Sequence, residues 1–390
     1  MPKTVCVITL ALPIETDPRS FRQIERLSRD YAVRVIGFGD PPPSWAAKGI
    51  AWHGIDRSRS RLRLAVEMLL LALGRLIPTA YDLYFWRRPR YLQALRLAVA
   101  CRADAYHASD WAAIPLAVRA AQQTGGTAKV FFDADEHWTT ERESSRAWRW
   151  FFAPMIHHFL SRYAAGVDAS THVSEPLAER YAAEYGLGGV VVYNAPDYVE
   201  TPDHPVDPQR IRLIFHGAAI RNRHLEVLID AIALCQPRFE LHFLVVGEAA
   251  TIDWLKAYAQ ENAPGRVIFR PPVSIHEVVQ AIADCDLELS WSAPTTYTNR
   301  YTLPNKLFEA AVAGLGVIVG PGTAHEQLVT RYGYGIAARS FSAADLAATV
   351  NALSVEQVTA LRSAARRAGQ ELHADVALEV LSRLYREVLG

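Results

Sequence analysis

The sequence contains few cysteines, and none of them has the spacing of a metal site. Its 390 residues include only four, Cys6, Cys101, Cys235 and Cys285. They are scattered along the chain without a CxxC pair. This pattern predicts buried thiols in a reducing compartment.

Long apolar runs are also missing. The chain starts with MPKTVCVITLAL, which has a single lysine and resembles a strand more than a signal peptide. The longest apolar stretch, residues 64–73, contains Glu67 and is too short to cross a bilayer. We therefore expect a cytoplasmic protein.

Neither charge sign is in excess, because 41 Lys and Arg residues face 41 Asp and Glu residues. A balanced chain has no overall field that attracts nucleic acid, so we expect no nucleic-acid partner. No GxGxxG turn follows the first predicted strand. Its absence argues against a nicotinamide-dependent dehydrogenase.

The apolar pattern predicts an α/β protein with two domains. Half of the residues are hydrophobic, and the chain is too long for one ordinary core. Apolar runs at 5–10 and 31–38 flank a helical pattern at 21–29, which is the spacing of a parallel βαβ unit. Residues 198–208 are rich in Pro, Asp and His, and a second α/β pattern starts at Ile211. We predict one domain at residues 1–198 and a second at 199–372.

In the first half, two apolar runs lead into polar clusters. Such clusters are typical of the carboxyl ends of parallel strands, where open α/β sheets bind ligands. Each residue alone is more often a cap or turn residue, and this alternative stays open. The candidates for one shared cleft are His107, Asp110, Asp133, Asp135, Glu136 and His137.

In the second half, a turn of small residues lies between a predicted strand and a helix. Gly217 exposes backbone N–H groups there, and Arg221 and Arg223 follow. This combination suits a diphosphate, although a solvated basic turn is the alternative. Asp284 and Asp286 imitate a DxD metal motif, but an apolar strand continues after them, and we predict no metal site.

The stretch 295–322 predicts a loop, a helix and a buried strand. Thr302 is a possible N-cap, and Lys306 falls in the first turn, where the helix dipole disfavours a cation unless an anion is near. Glu309 shares a face with Lys306 and could accept hydrogen bonds from vicinal hydroxyls. The alternative is a local Lys306 to Glu309 pair at i, i+3.

Two segments raise the possibility of peripheral membrane contact. Residues 57–78 begin with arginines and then turn apolar, and residues 146–163 are aromatic and basic. They suit an anionic membrane surface. Packing on a core or beside a substrate cleft is the alternative.

The chain resembles the retaining glycosyltransferases of family 4, which have the GT-B fold. The resemblance rests most on LPNKLFEAAVAGLGVIV at 303–319. Weaker motifs in the same order extend it over nearly the whole chain: Asp17, Pro18 and Arg19 before the first helix, HASD at 107–110 and DADE at 133–136. It implies two Rossmann-like domains whose parallel sheets face a central cleft, with a last helix, 373–390, that packs on the first domain.

The same resemblance implies a nucleotide-diphosphate sugar as donor and co-substrate, with no separate cofactor and no metal. The acceptor, a glycan, a lipid-linked molecule or a small molecule, would bind the first domain. Tyr301 stands where the family commonly has a glutamate, and Asp135 where a histidine is common. The implied donor site comprises Gly217, Arg221, Arg223, Val273, Asn305, Lys306 and Glu309, and the candidate catalytic residues are His107, Asp110, Asp135, Glu136 and His137.

Two other functions stay open at this point. A sugar-nucleotide epimerase of the same fold would also place acids and histidines in its cleft. A non-catalytic protein that binds sugar nucleotides would need the donor site alone.

Overall fold

A computed structural model describes residues 2–56 and 61–390, without the side chains of 61–65. The chain divides into two compact units. Unit 1 comprises Met1–Tyr193, Thr296–Thr302 and Leu378–Gly390, and unit 2 comprises Asn194–Thr295 and Leu303–Ala377. The predicted boundary at 198/199 lies a few residues beyond this division.

Unit 1 contains a parallel sheet of seven strands in the order β3-β2-β1-β4-β5-β6-β7. The strands are β1 (Thr4–Pro13), β2 (Ala32–Phe38), β3 (Ala51–Gly54), β4 (Ala105–Ala108), β5 (Lys129–Ala134), β6 (Ala169–His172) and β7 (Val190–Val191). The helices between them are α1 (Pro18–Leu27), α2 (Pro43–Ala47), α3 (Arg61–Leu73), α4 (Thr79–Trp86), α5 (Pro89–Cys101), α6 (Ala113–Gln123), α7 (Ala153–Tyr163) and α8 (Glu175–Tyr185).

Unit 2 contains a parallel sheet of six strands in the order β10-β9-β8-β11-β12-β13. These strands are β8 (Ile211–Ala219), β9 (Phe239–Gly247), β10 (Val267–Phe269), β11 (Leu287–Ser290), β12 (Gly316–Val319) and β13 (Gly335–Ala337). The remaining helices of the chain are α9 (Glu226–Leu234), α10 (Ala249–Asn262), α11 (Val278–Ile282), α12 (Tyr297–Tyr301), α13 (Asn305–Ala313), α14 (Ala324–Tyr332), α15 (Ala343–Asn351), α16 (Val355–Gly369) and α17 (Ala374–Leu389).

The predicted α/β class is confirmed, because each unit is a parallel sheet flanked by helices. Strand β1 is buried over Val5–Leu10 and β12 over its whole length, which explains their continuous apolar sequences. Each sheet has its own hydrophobic core, one around Phe132 and Phe159 and the other around Phe215 and Phe243. In both units, the carboxyl ends of the central strands lead into the candidate residues.

The segment Thr296–Thr302 groups with unit 1, whereas the prediction gave it to the second domain. Thr298 Oγ1 donates to the carbonyl of His137 at 3.3 Å, and Tyr297 Oη donates to the carbonyl of Pro176 at 3.2 Å. Ser174 Oγ donates to the carbonyl of Tyr301 at 2.5 Å. These bonds attach α12 to unit 1 although its sequence neighbours belong to unit 2.

The predicted N-cap at Thr302 is wrong. Thr302 instead closes α12, where its Oγ1 donates to the carbonyl of Thr298 at 2.8 Å. Pro304 is the N-cap of α13 and makes no side-chain capping bond. A proline disfavours helical geometry in the residue before it, so α12 and α13 cannot continue into one another through Leu303.

Candidate functional site

The first cluster of candidate residues lies in unit 2, at the carboxyl end of β8. Gly217 has a φ of +124°, which favours glycine, and a short 3-10 turn, Arg221–Arg223, follows β8. A Cβ atom added to Gly217 would lie 3.9 Å from Arg223 Nη1 and 3.9 Å from Lys306 Nζ. Two cationic nitrogens therefore converge beside a stretch of backbone that carries no side chain.

Lys306 is held in this position by groups from two strands, β8 and β11. Its Nζ donates to the carbonyl of His216 at 2.7 Å and lies 3.6 Å from the centre of the Phe215 ring. Glu288 Oε1, on β11, is 3.8 Å away. Burial lowers the pKa of Lys306 to about 8, an effect that Arg223 reinforces and that Glu288 and Glu309 oppose. An added anion would stabilise its charged form.

Arg223 reaches the same place from the 3-10 turn. Its Nη1 donates to the carbonyl of Ala218 at 3.2 Å. Burial lowers its pKa. Among the described residues, no carboxylate lies within ion-pair distance of Arg223. Its positive charge thus has no internal counter-ion, which is the condition under which an anionic ligand binds well.

A buried triad of charged side chains supports this cluster. His216 Nδ1 is 2.9 Å from Glu288 Oε2, and His216 Nε2 is 2.8 Å from Glu309 Oε2. Burial alone would lower the pKa of His216, but the two carboxylates overcome it and raise the pKa to about 9. His216 is therefore a cation at neutral pH and joins Glu288 on β11 to Glu309 on α13.

The alternative of a local Lys306 to Glu309 pair is not what the structure contains. Lys306 pairs with Glu288, while the partner of Glu309 is His216. Neither His216 nor Glu288 was identified as a functional residue from the sequence. The available signals were a histidine directly before Gly217, and a single glutamate inside the apolar strand β11.

The other predicted donor residues are less closely connected to Gly217. The guanidinium of Arg221 lies over the ring of Trp254 at 3.8 Å. Asn305, the first residue of α13, and Val273, in the extended segment after β10, are half-buried. Their role as donor ligands stays a prediction.

The two aspartates of the DxD sequence are engaged with arginines. Asp284 accepts two bonds from Arg270, at 2.6 and 3.0 Å, and Asp286 Oδ1 accepts from Arg362 at 3.3 Å. Asp286 Oδ2 also accepts from the backbone N–H of Arg212 at 2.9 Å. In the described part of the chain, no group of three His, Cys, Asp or Glu side chains is arranged to hold a metal ion.

The second cluster lies in unit 1, after β4 and β5. His107 is buried, and its Nδ1 is 2.8 Å from Tyr385 Oη on α17, which ties the last helix to this sheet. Burial lowers the pKa of His107 to about 4, so this side chain is neutral at pH 7. Its Nε2 is buried without a hydrogen-bond partner.

Asp110 has a structural task in this cluster. Its Oδ2 accepts from the backbone N–H of Leu10 at 2.6 Å, and Oδ1 accepts from those of Ala112 and Ala113 at 2.8 and 3.0 Å. Burial raises its pKa to about 6, although these three bonds oppose the rise. The side chain thus joins β1 to the start of α6, as the cap alternative expects.

Asp133 is the centre of a buried ion pair. Arg19 Nε and Nη2 donate to its two oxygens at 2.7 and 2.6 Å, and Gln23 Nε2 donates at 3.0 Å. Burial opposes the charge of Asp133, but Arg19 lowers its pKa overall. Arg19 also donates to the carbonyl of Val192 at 2.7 Å, so one guanidinium connects α1, β5 and the segment after β7.

Among the described residues, the carboxyl groups of Asp135 and Glu136 have neither a cationic partner nor a hydrogen bond, in contrast to those of Asp110 and Asp133. Asp135 Oδ1 is buried without a hydrogen bond, and burial, Glu136 and Asp133 raise its pKa far above the ordinary value. Burial and Glu141 raise the pKa of Glu136 to about 7. A carboxyl group with a pKa of about 7, such as that of Glu136, can exchange protons near neutral pH, as acid–base catalysis requires.

His137 is fully buried beside them. Its Nδ1 is 3.0 Å from Thr140 Oγ1, and its Nε2 is 3.3 Å from Glu184 Oε2. Burial and Arg180 lower its pKa to about 4, although Glu184 opposes this. The structure therefore places all five predicted catalytic residues in unit 1. Asp110, Asp135 and Glu136 all have raised pKa values, but only Asp110 accepts hydrogen bonds from other described residues.

The two Rossmann-like units define the class of this protein, which is the GT-B fold. The structure of Anabaena HepE with UDP and glucose has a TM-score of 0.69 at 15% identity, with 99% of this chain and 100% of that chain covered. Sucrose-phosphate synthase from Thermosynechococcus elongatus has a TM-score of 0.71 at 14% identity, with 99% of each chain covered. The lipopolysaccharide outer core galactosyltransferase WaaB has a TM-score of 0.66 at 14% identity, with 98% of this chain and 99% of that chain covered.

At the level of sequence, residues 210–355 match the family model of glycosyl transferases group 1. This region contains Gly217, Arg223, Glu288, Lys306 and Glu309. Comparison with curated proteins finds no match. The family match favours a transferase over the epimerase alternative.

Proposed function

We propose that this protein is a glycosyltransferase that moves a sugar from a nucleotide-diphosphate donor to a hydroxyl group of an acceptor. The observation that carries the proposal is the convergence of Arg223 Nη1 and Lys306 Nζ, each 3.9 Å from the Cβ position of Gly217. The family match covers all three residues. HepE, which has the same fold, was solved with UDP and glucose.

The chemistry of glycosyl transfer explains why two fixed cations are needed. When the bond between the sugar and the diphosphate breaks, negative charge grows on the phosphate while the sugar becomes cationic. Positive groups held at the phosphate therefore stabilise the transition state more than the ground state. Lys306 and Arg223 would supply this stabilisation, and we propose that they do so without a metal ion.

Glu309 is the candidate for binding the ribose. His216 Nε2 holds Oε2 of this carboxylate at 2.8 Å, which fixes its orientation. Among the described residues, Glu309 Oε1 has no hydrogen-bond donor, so this oxygen would accept from the ribose hydroxyls. His216 and Glu288 would act as positioning residues that hold Glu309 and Lys306 in place.

Asp135 and Glu136 are the candidates for moving the proton of the acceptor hydroxyl, because their raised pKa values suit that task. By the resemblance to family 4, we propose transfer with retention, front-face attack by the acceptor, and a role in polysaccharide synthesis. The acceptor would be a glycan, a lipid-linked molecule or a small molecule. We propose a cytoplasmic location; no helix in the described ranges is long and apolar enough to cross a membrane.

The donor site is tested by calorimetry with UDP, GDP, ADP, CDP and TDP. One of them should bind, and Arg223→Ala and Lys306→Ala should each weaken that binding about tenfold or more, since each removes a charge-assisted contact. Arg210→Ala is the matched control, because Arg210 lies before the amino end of β8 and pairs with Glu240 at 2.9 Å. Equal affinity in all four proteins would refute the phosphate site.

Transferase activity is tested separately from binding. The nucleotide sugars of the base that binds are incubated with acceptors, and release of the nucleoside diphosphate is followed. A protein that binds the donor at Lys306 but releases no product with any acceptor, while a known transferase in the same assay does, would be the non-catalytic alternative. Full activity of Glu309→Ala would contradict the proposed ribose contact.

A further inference from the structure

A cavity lies in unit 1, between the turn after α3 and helix α7. It has a volume of about 510 Å³. The turn contributes Gly74 and Arg75, α4 contributes Tyr81, and α7 contributes His157, His158 and Arg162. None of these residues belongs to either candidate cluster described above.

The cavity contains a hydrogen-bond donor that has no partner. Tyr81 is 3% exposed, and its Oη is buried without a hydrogen bond. Gly74 makes this position of the ring possible, because a Cβ atom there would lie 2.1 Å from the Tyr81 ring. A buried hydroxyl without a partner is unfavourable, and a ligand oxygen in the cavity would provide the missing hydrogen bond.

The positive charge of the cavity is only partly neutralised. Arg162 Nη1 pairs with Asp82 Oδ2 at 2.6 Å, and His158 Nε2 is 3.5 Å from the same oxygen. Arg75 differs, because no carboxylate in the described part of the chain lies within ion-pair distance of it. Its Nη1 donates to the carbonyl of Trp150 at 3.1 Å, and its guanidinium lies over the Trp150 ring at 4.5 Å.

Exposed apolar side chains lie beside this cavity in the chain and on the preceding helix α3. Leu76 and Ile77 are 83% and 56% exposed, and they lie between the lining residues Arg75 and Pro78. Trp150 is 57% exposed. Val66, Leu69 and Leu73 on α3 are also exposed, with the spacing of a single helix face. Exposed apolar side chains grouped in this way indicate an interaction site.

We propose that this cavity binds the phosphate headgroup of an anionic lipid while the neighbouring apolar side chains contact the acyl region. Arg75 and Tyr81 would donate to the phosphate oxygens. Leu76, Ile77 and the exposed face of α3 would enter the membrane interface, where tryptophan and arginine side chains are favoured. A lipid suits this surface because a single lipid molecule carries both a phosphate and acyl chains. The cavity and the exposed apolar side chains Leu76 and Ile77 are likewise next to each other.

This site is narrower than the membrane contact predicted from residues 57–78 and 146–163. Residues 57–60, at the basic start of the first segment, lie outside the described residues. The site needs neither those arginines nor the donor site. Its failure would leave the proposed glycosyltransferase activity untouched.

The test is sedimentation of the full-length protein with vesicles of phosphatidylcholine, alone or mixed with phosphatidic acid. We expect binding to the mixed vesicles. Tyr81→Phe should weaken it about tenfold, because a hydroxyl that donates to a charged group is lost. The fold should tolerate this change, since the hydroxyl has no internal partner, and an unchanged melting temperature would verify this. Arg75→Gln and Leu76→Ser should weaken binding about fivefold each.

Two matched variants control for general effects of charge and apolar surface. Arg87 is exposed at the end of α4 and does not line the cavity, and Leu234 is exposed in unit 2. Arg87→Gln and Leu234→Ser should bind the vesicles as the unmodified protein does. Weakening by Arg87→Gln equal to that by Arg75→Gln would overturn the proposal in favour of nonspecific attraction.

Three other outcomes would also refute the lipid site. One is the absence of vesicle binding by the unmodified protein, and another is full binding by Tyr81→Phe. The third is loss of binding to the mixed vesicles when inorganic phosphate is added at the concentration of the lipid phosphate. That result would indicate a site for a free anion.

Discussion

Replacing Glu288 with glutamine should convert His216 from a cation into a neutral side chain at pH 7. Each ring nitrogen of His216 faces a carboxylate oxygen, Nδ1 at 2.9 Å from Glu288 and Nε2 at 2.8 Å from Glu309. A neutral imidazole has only one N–H group, so two ionised acceptors favour the doubly protonated ring. In Glu288→Gln, a neutral His216 ring can donate from Nε2 to Glu309 and accept at Nδ1 from the new amide group, so both ring nitrogens keep a hydrogen bond.

The size of the effect follows from the burial and charges of the triad. The pKa of His216 is raised from an ordinary 6.5 to about 9. That difference corresponds to about 3.4 kcal/mol, at about 1.36 kcal/mol per unit. A carboxylate whose charge centre is about 4 Å away contributes about 4 kcal/mol at an effective dielectric constant of about 20, or about 3 units. Glu288→Gln should therefore lower the pKa of His216 to about 6.

Overall stability is a poor readout of this change. Because the folded pKa of His216 is raised, its contribution to stability is complete below about pH 6.5 and is lost as the pH rises through about 9. The folded pKa of Lys306 is lowered from 10.5 to about 8, so its cost to stability is present below about pH 8 and disappears as the pH rises toward 10.5. The two effects have opposite signs in overlapping ranges and partly cancel.

The direct assay is an NMR titration of the protein with ¹³C-labelled histidine, in which His216→Gln identifies the resonance. We expect a midpoint of about 9 in the unmodified protein and about 6 in Glu288→Gln. Glu240→Gln is the matched control, because Glu240 holds His242 at 2.9 Å in the same unit. A midpoint at or below 6.5 in the unmodified protein, or an unchanged midpoint in Glu288→Gln, would refute the reasoning.

Three further predictions follow from the remaining charged groups. Nucleoside diphosphate affinity should fall by up to about tenfold per unit as the pH rises above about 8, where Lys306 loses its charge, and calorimetry of Lys306→Gln should show weaker binding without this slope. Arg19→Gln should lower the free energy of unfolding of unit 1 by about 3–5 kcal/mol, because it leaves the buried Asp133 without its cation. In urea titrations the exposed control Arg29→Gln should change it by less than about 0.5 kcal/mol, and an equal loss in both would contradict the buried-pair argument. Asp135→Asn should abolish sugar transfer while nucleoside diphosphate affinity in calorimetry stays unchanged; transfer at the normal rate would exclude Asp135 as the acid–base group.

The fold could be predicted from the sequence because its signals are local. The strands of a parallel sheet are buried on both faces, so β1 and β12 appear as continuous apolar runs. Turns rich in glycine and proline separate these runs from the helices. The assignment of Thr296–Thr302 to unit 1 was not predictable in this way, because it depends on hydrogen bonds to Ser174 and His137, which are more than a hundred residues away in the chain.

The candidate site could be predicted in part. The position of Lys306 at the start of a helix indicated that an anion is needed, and the basic turn after β8 indicated where a phosphate would lie. Spacing suggested Glu309 as the neighbour of Lys306, whereas the neighbour within ion-pair distance is Glu288 on β11. That contact exists because β11 lies beside β8 in the sheet, where Glu288 pairs with Ile214. Strand order is a property of the whole sheet, and local spacing does not contain it.

The position of Glu288 also favours a functional role for this part of unit 2 over a stabilising one. The residue is 0% exposed, and Oε1 has no hydrogen-bond partner. Removing an ionised carboxylate from water costs several kcal/mol, which His216 and Lys306 offset only in part, and apolar side chains of similar volume are often as stable or more so. The charged side chains of His216 and Glu288, buried in the sheet, and of Lys306 on α13 therefore contribute more to the charge of the neighbouring surface at Gly217 than to stability. The strands of a parallel sheet are usually apolar throughout, and the buried Glu288 in β11 departs from this pattern. This departure marks the candidate site.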